Sequence, residues 1–279
     1  MRDKIMTLIS LLLVLLVERV ITKSQYWQAG FYADKYLENI ESRGWFSSSS
    51  KSWMLALVIF VPVVIVYLVV QAFSGGLLEL VISTAILMVC VGCPAIRATY
   101  KCFLQAANKG DIQACSMYED QISGDDKEST SFGLNLVWQN YRHYTAVILW
   151  FAACGAAGAI LYILVREMGS KLSDDNEQVA NQVKRLLNIV DWIPVRITAL
   201  GFLLVGHFSR AFPIWLGYLP DPAVQAKTLL LDVSKKAEEI EPDENDCTEE
   251  PCTLVRLAKR NMMFLLVIIA LLTLSGWID

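Results

Sequence analysis

The sequence predicts an all-α fold, a polytopic integral membrane helical bundle with a broken or re-entrant helix and cytoplasmic amphipathic helices. The main observation is a pair of apolar stretches, Trp53 to Phe73 and Leu77 to Pro94, separated by Ser74-Gly75-Gly76 and interrupted only by Glu79. Each stretch has the roughly 20 residues that a helix needs to cross a hydrocarbon layer. Composition agrees, with 55% apolar residues, 19% charged residues and a mean hydropathy of +0.44, above the usual values for soluble domains.

Six apolar segments are expected to form the helices of one membrane domain spanning residues 1–279. The first follows Arg2 and Lys4 and runs into Glu18-Arg19 without a small-residue cleavage site, so we expect it to be retained. The last is an uncharged run that ends at an interfacial Trp277. The six predicted helices lie at about 5–21, 53–73, 77–95, 144–165, 195–219 and 262–278.

The distribution of basic residues predicts the orientation, because Lys and Arg are retained on the cytoplasmic side of a membrane. The Ser74–Gly76 turn has none, whereas residues 22–52 carry four and residues 97–145 carry five. We therefore expect the turn to face outward, and the loops 96–143, 166–192 and 220–260 to be cytoplasmic and helical.

Residues 166–260 carry twelve of the 24 basic residues, and they would lie outside if residues 144–165 simply crossed the membrane. Gly155 and Gly158 interrupt that segment, and glycine is where a membrane helix can break or turn back. A broken or re-entrant helix would return Arg166 to the cytoplasm. The alternative is a plain span followed by a long external loop.

The polar segments also carry helix signals. Asp174 and Glu177 have capping-box spacing ahead of an apolar pattern that runs to Val190. Asp221-Pro222 is typical of a helix start and predicts a helix to about Glu239. A further helix is expected over 111–122, whereas the acidic stretch 241–250 is interpreted as a solvated linker.

Ionisable groups within or beside the apolar segments are the candidate site residues. Such groups are costly in hydrocarbon unless they are paired or face a wet cavity. Since all are expected at cytoplasmic helix ends, we predict that they line one polar pocket open to the cytosol, which would suit a small anionic or polar ligand. The alternative is a set of independent interfacial anchors. The pocket candidates are Glu18, Arg19, Asn140, Arg142, His143, Arg166, Asp191, Arg196 and His207.

Several other functions find no support in the sequence. No basic cluster is large enough to follow phosphates, so no nucleic-acid partner is expected. With two histidines in the chain, a histidine-rich metal site is excluded, and Cys90 and Cys93 are interpreted as packing residues. There is no phosphate loop, dinucleotide fingerprint or nucleophile elbow, so no cofactor is assigned. Cys247 and Cys252 would form a disulfide only on the external side.

The residues resemble the AmpE family of bacterial inner-membrane proteins over nearly the whole chain. The resemblance rests on the Leu11–Arg19 segment, the Leu136–Arg142 segment, the block Asp191-Trp-Ile-Pro-Val-Arg196, Gly206-His207, and the Ala270–Gly276 segment. It implies a location in the bacterial inner membrane and a sensory or transducing role in β-lactamase induction and peptidoglycan recycling. It also implies a functional link to the AmpD amidase.

The chain is also similar to the CbiB/CobD family of cobalamin biosynthesis, membrane ligases that attach an aminopropanol-type arm to a corrin acid. Trp192 to Ala199 carries that resemblance. The family has carboxylates where this chain reads Trp138-Gln139-Asn140-Tyr141-Arg142, and again near Arg166-Glu167-Met168-Gly169. Because such carboxylates could hold Mg²⁺ or move a proton, their replacement indicates a binding protein rather than an enzyme.

The sequence therefore predicts a non-catalytic, ligand-binding or signal-transducing membrane protein. A membrane ligase and a small-molecule transporter are the alternatives. A transporter would need a polar path across the bilayer, yet residues 53–94 and 262–278 contain almost no ionisable group. The lipid bilayer is the expected environment, and a homo-oligomer is left open.

Overall fold

The computed structural model describes residues 2–20, 23–42, 52–73, 76–123, 130–171, 177–221, 224–239 and 247–275. Within these ranges the secondary structure is helical and contains no strand, which confirms the all-α class. The α-helices are α1 Arg2–Val20, α2 Ala29–Ser42, α3 Ser52–Ala72, α4 Leu77–Cys90, α5 Pro94–Asn108, α6 Ile112–Ser123, α7 Phe132–Asn140, α8 Ala146–Lys171, α9 Glu177–Val205, α10 Phe208–Tyr218, α11 Ala226–Ala237 and α12 Glu249–Leu274.

The helices confirm a polytopic membrane protein. Four helical segments in the described ranges are long and apolar enough to cross a bilayer: Trp53–Ala72, Phe132–Lys171, Val179–Val205 and Glu249–Leu274. The bent pair α4 and α5 makes a fifth if it is counted as one span. The apolar part of α1, Met6–Glu18, is a helix as expected but is shorter than a full span.

Apolar side chains exposed along these helices show which faces meet lipid. On α12, Met263, Val267 and Leu271 recur at four-residue intervals and are all more than half exposed. On α3, Phe60 and Leu68 are similarly exposed. Continuous apolar stripes of this kind are rare on soluble monomers, whereas a hydrocarbon environment stabilises them.

The helical hairpin predicted from residues 53–95 ends earlier than the sequence suggested. Helix α4 stops at Cys90, and Gly92 takes a φ of 94° that favours glycine. Pro94, which the sequence analysis placed at the end of the span, instead occupies the first turn of α5, where its missing N–H breaks no hydrogen bond. The two helices are bent by 47° at this break. Ser74 and Gly75 lie outside the described residues.

The predicted span 195–219 was wrong in its boundaries. Helix α9 runs without interruption from Glu177 to Val205, so the predicted loop helix and the first part of the predicted span form one element. Pro194, expected at a helix entry, lies inside α9. A separate helix, α10, follows from Phe208. Asp174 of the predicted capping box lies outside the described residues.

The predicted break in the segment 144–165 is present at Gly155, where φ is 64° and ψ is −155° inside α8. This backbone conformation is open to glycine and closed to residues with a Cβ. Helical structure nevertheless begins much earlier than Tyr144, with α7 at Phe132 and a π-helical turn over Tyr141–Thr145. The helix predicted over 111–122 is confirmed by α6.

Other sequence boundaries also shift. Helix α11 begins at Ala226 rather than at Pro222, and Pro222 itself lies outside the described residues. The last apolar helix, α12, begins at Glu249, inside the stretch interpreted as a linker, while residues 240–246 and 276–279 lie outside the described ranges. Helix α2 was not predicted, whereas α5 and α7 lie in the region 96–143 that was expected to be helical without individual bounds.

Two proline-containing helices stay continuous because side chains replace the hydrogen bond that each proline removes. Pro62 leaves the carbonyl of Val58 without its usual helical donor, and the Tyr36 hydroxyl donates to that oxygen at 3.0 Å. Pro194 leaves the carbonyl of Val190 without its donor, and the indole N–H of Trp150 donates to it at 3.3 Å.

The contacts of the chain divide it into two compact units, and the chain passes between them at four points. The first comprises Met1–Gly92, Ala146–Asp191 and Ile268–Asp279, and the second comprises Cys93–Thr145 and Trp192–Val267. In the first unit α1 packs on α4, while α2, α3 and α4 pack on α8. The Thr84 hydroxyl donates to the Ser10 oxygen at 3.0 Å between α1 and α4.

The second unit has an aromatic core resembling that of a soluble helical domain. Phe103 of α5 and Phe132 of α7 lie 4.6 Å apart between ring centroids, and both are buried with Cys115 and Leu136. Helix α10 packs on α11, which also contacts α7. The amide N–H of Asn261 donates to the carbonyl of Thr198 at 3.0 Å, joining α12 to α9.

Substituting Tyr36 with Phe should destabilise the protein by about 1–2 kcal/mol, because the buried carbonyl of Val58 loses its donor. Pro62→Ala restores the helical N–H, so the double variant should lose little further stability relative to Pro62→Ala alone. Unfolding free energies in mixed SDS micelles, followed by circular dichroism, measure this coupling. Tyr67→Phe, at an outward-facing position on α3, is the matched control. Additive losses in the double variant would contradict the pairing.

Candidate functional site

The residues predicted to line one polar pocket belong to both units. Glu18, Arg166 and Asp191 lie in the first unit, as does Arg19, whose side chain is outside the described residues. The second unit holds the other five candidates, which are Asn140, Arg142, His143, Arg196 and His207. Each unit is therefore considered by itself.

The three described candidates of the first unit are ionisable side chains buried among apolar helices. Asp191 is 1% exposed, Arg166 is 4% exposed and Glu18 is 8% exposed. Each of them takes part in at least one polar interaction. Because an unpaired charge at such depth would cost several kcal/mol, these interactions are needed in the folded protein.

Arg166 forms an ion pair with the next residue in the chain. Its Nε and Nη2 donate to Oε1 of Glu167 at 3.0 and 2.6 Å, and the Glu167 side chain is 17% exposed. The same carboxylate lies near Gly30 of α2, where a Cβ would stand 3.6 Å from Oε1. The pair thus places a charged group of α8 against the start of α2.

Lys23, which the sequence analysis did not select, belongs to the same charged region. Its Nζ donates to the carbonyl oxygens of Met88 and Val91 at 2.6 Å each. These oxygens lie at the C-terminal end of α4, where the helix leaves main-chain carbonyls without helical donors. A cation is also favoured at this end of the helix dipole. Lys23 and Arg166 both lie close enough to Cys90 for their charges to act on its sulfur.

A second charged contact fixes α2 on α8. Nζ of Lys171 lies 3.1 Å from Oε1 of Glu38 and 3.4 Å from Oδ1 of Asp34. It also donates to the main-chain oxygen of Asp34 at 3.2 Å. The C-terminal part of α8 therefore carries both Arg166 and Lys171 beside α2.

Arg196 of the second unit binds main-chain oxygens beyond the end of α10. Its Nη2 donates to the carbonyl of Asp221 at 3.0 Å and of Tyr218 at 3.5 Å, while Nη1 donates to the carbonyl of Trp192 at 3.1 Å. The guanidinium lies 4.3 Å from the centroid of the Trp192 ring, a cation–π distance. In return, the Trp215 indole donates to the carbonyl of Arg196 at 3.3 Å.

These contacts give the block Asp191-Trp-Ile-Pro-Val-Arg196 a structural role. The Trp192 ring packs over the Arg196 guanidinium, and Arg196 binds the main chain that follows α10. Tyr218 in turn donates to Oδ2 of Asp232 on α11 at 2.6 Å. Nε of Arg196 has no partner among the described residues, although the side chain is 8% exposed.

The Gly206-His207 pair joins α9 and α10 to the end of α11. The backbone N–H of His207 donates to the carbonyl of Ala237 at 2.7 Å. A Cβ on Gly206 would lie 2.4 Å from the same oxygen, so this approach requires glycine. The His207 imidazole is exposed. Beside it, Arg260 of α12 donates to the carbonyl of Val205 and pairs with Glu238 at 3.1 Å.

Asn140, Arg142 and His143 lie at the π-helical turn between α7 and α8, and all three are half-buried. The guanidinium of Arg142 stands 6.0 Å from the ring centroid of Trp138, one turn earlier. π-Helical turns are frequent at functional sites because the inserted residue changes where side chains point. No pattern in the sequence indicated this turn.

The cysteines carry free thiols within the described residues. Those residues contain no group of three metal-ligating side chains. Cys252 lies 3.5 Å from the Tyr100 hydroxyl, so its described contact is with α5 rather than with Cys247. Cys247 instead interacts with Cys115 of α6. Burial, the neighbouring Cys247 and two nearby carboxylates raise the pKa of the Cys115 thiol to about 11.

Comparisons with known proteins support one family across the chain. Residues 6–278 match the family model AmpE, described as a regulatory signalling modulator protein. The chain is 26% identical to Protein AmpE of Shigella flexneri, over 97% of this chain and 99% of that protein. It is 27% identical to the cobalamin biosynthesis protein CobD of Chromobacterium violaceum, over 52% of this chain and 49% of that protein. No solved structure gives a significant match.

Replacing Arg196 with Met should destabilise the protein by about 2–4 kcal/mol, since buried carbonyl oxygens lose a charged donor. The matched control is Arg210→Met, which removes an ion pair with Glu239 whose side chains are 53% and 55% exposed. That change should cost at most about 1 kcal/mol. Equal losses for the two variants, measured by SDS unfolding, would contradict the assigned role of Arg196.

Cys115 should resist alkylation at pH 8, where a pKa raised from 9.0 to about 11 leaves about 100-fold less thiolate than an unperturbed thiol. Its reaction with iodoacetamide should accelerate as the pH rises through 11, and the exposed Cys247 in the same sample reports the alkylation of an accessible thiol. Peptide mass spectrometry at a series of pH values gives both rates. Rapid labelling of Cys115 at pH 8 in folded protein would contradict its burial, and SDS-unfolded protein serves as the control.

Proposed function

Because the chain belongs to the AmpE family of regulatory signalling modulator proteins, we propose that it is a non-catalytic, ligand-binding signalling component of the bacterial inner membrane. It is a multi-pass membrane protein. The observation that carries the ligand-binding part of this proposal is the burial of Glu18, Arg166 and Asp191 within one apolar unit. Ionisable side chains are seldom kept in such surroundings unless they serve binding or transport.

The proposed ligand is a small polar or anionic molecule reached from the cytosol. Support for the cytosolic side comes from the basic residues, since residues 166–260 carry twelve of 24. Arg166 would donate hydrogen bonds to such a ligand. Asn140, Arg142 and His143 belong to the second unit, and ligand contact by these residues is a separate proposal, supported by the π-helical turn on which they lie.

Arg196 and His207 have a weaker claim to ligand contact. The Arg196 guanidinium binds three main-chain oxygens, so its described contacts are those of a structural residue. His207 contributes its backbone N–H to the fold, and its imidazole is exposed. Both remain in the proposal. Substituting either residue should first displace α10, and any effect on a ligand would follow from that displacement.

The proposed output is regulation of β-lactamase induction together with peptidoglycan recycling, with the AmpD amidase as a functional partner. The resemblance to AmpE supports this assignment. A ligase activity is not favoured, because the similarity to CobD covers 52% of this chain and 49% of that protein. The chain also reads Trp138-Gln139-Asn140-Tyr141-Arg142 where the ligase family has carboxylates.

The proposal predicts that deleting the gene changes the β-lactamase level after exposure to an inducing β-lactam. Complementation with Asp191→Asn should reproduce the deletion phenotype, because the buried carboxylate can no longer hold a negative charge. Hydrolysis of a chromogenic cephalosporin measures β-lactamase, and an immunoblot of washed membranes measures the abundance of the variant.

The matched control is Glu239→Gln, which neutralises an exposed carboxylate in the second unit and should complement fully. Unchanged induction in the deletion strain would overturn the signalling role. Full complementation by Asp191→Asn at normal abundance would remove Asp191 from the site while leaving that role intact.

A further inference from the structure

The first unit contains an apolar cavity of about 440 Å³, lined by α2, α3, α4 and α8 and partly open at the protein surface. This volume falls within the range of ligand sites in proteins, about 300–1,000 Å³. Nine of its twelve lining residues are aliphatic or proline, and the other three are Tyr32, Tyr36 and Cys90. The Tyr36 hydroxyl is already bound to the carbonyl of Val58. The cavity therefore offers almost no polar group to a ligand.

Water is a poor occupant of such a space. An ordered water needs two to four polar partners, and this lining offers almost none. A void leaves its lining without dispersion contacts on one side. The segments of α3 and α8 that line the cavity belong to helices able to span a bilayer, and α4 belongs to the bent pair. The medium available to fill the cavity is thus lipid hydrocarbon.

One end of the cavity is marked by charge. Cys90 contributes to the lining, and the charged groups that act on its sulfur are Arg166 and Lys23, both cations. Cys90 also ends α4, whose last carbonyls bind Lys23. Arg166 is neutralised by its ion pair with Glu167, so Lys23 supplies the net positive charge at this end. An apolar lining followed by a cation matches a molecule with a hydrocarbon chain and an anionic head.

We propose that this cavity holds an acyl chain of an anionic phospholipid drawn from the surrounding bilayer, with the phosphate of the lipid beside Lys23. The site is independent of the signalling proposal, since a bound lipid would shape the first unit whether or not the protein regulates β-lactamase. Its ligand is a membrane lipid, whereas the proposed signal is a small molecule from the cytosol.

Native mass spectrometry of the full chain tests the proposal. Protein is released from nanodiscs that contain equal amounts of phosphatidylglycerol and phosphatidylcholine with identical acyl chains. One phosphatidylglycerol should remain bound under activation that strips the other lipids. The variant Ala85→Trp places an indole into the cavity from an exposed position on α4. The fraction of this variant that retains phosphatidylglycerol should be about ten-fold lower, which corresponds to a loss of about 1.4 kcal/mol in binding free energy.

Two comparisons keep the test specific. Leu68→Trp adds the same ring to an exposed position on α3 outside the lining and should retain lipid as the unchanged protein does. Lys23→Gln removes the net positive charge at this end while keeping an amide donor. It should keep the acyl chain but lose the preference for phosphatidylglycerol.

A photoactivatable phosphatidylglycerol with a diazirine in its acyl chain locates the site directly. Crosslinks should fall on peptides that contain Tyr32 or Ile163, and inorganic phosphate added in excess should not reduce them. Absence of retained lipid, or equal retention by Ala85→Trp and Leu68→Trp, would overturn the proposal. Displacement by inorganic phosphate alone would overturn its lipid component.

Discussion

Every main-chain carbonyl that loses its helical donor inside an apolar helical protein must find another one, and this constraint organises the whole structure. Hydrocarbon supplies no hydrogen bonds, so an unpaired carbonyl costs several kcal/mol. Where proline interrupts the pattern, Tyr36 and Trp150 donate to the freed oxygens. Where helices end, Lys23 binds the end of α4, Arg260 binds the end of α9, and Arg196 binds the chain after α10. Long polar side chains thus allow apolar helices to break and turn.

This constraint separates two kinds of charged residue. The guanidinium of Arg196 binds main-chain oxygens, so its described contacts stabilise the fold. Glu18 and Asp191 are acceptors only when ionised, so they cannot donate to a main-chain carbonyl, and each is buried with an interaction of its own. The two carboxylates, together with Arg166, are consequently the residues on which the ligand-binding proposal chiefly rests. The apolar cavity beside Cys90 adds a second, lipid-facing region to the same unit.

Much of the fold follows from the sequence, because length and apolar composition determine which segments can cross a bilayer. The glycine break in α8 was also predictable, since Gly155 offers a φ that other residues avoid. Pro194 misled the sequence analysis, because a proline inside a helix looks like a boundary until its missing hydrogen bond is replaced by Trp150, 40 residues away. The candidate site was predictable as a set of ionisable residues in apolar surroundings. The partners were not, since the oxygens bound by Arg196 and Lys23 belong to the main chain and carry no sequence signal. Lys23 was missed for the same reason.

Solid-state NMR measures the central interaction most directly, through the distance between the Lys23 ammonium nitrogen and the Met88 carbonyl carbon. Protein labelled with ¹⁵Nζ-lysine and ¹³C-carbonyl methionine in lipid bilayers should show one lysine nitrogen about 3.5 Å from a carbonyl carbon, as a short N–H···O bond requires. Met88→Leu removes the labelled carbonyl while keeping the backbone, and the signal should disappear. If no lysine nitrogen lies within about 5 Å of a labelled carbonyl carbon, a distance beyond hydrogen-bond reach, the end of α4 is not paired by Lys23 and the account is wrong.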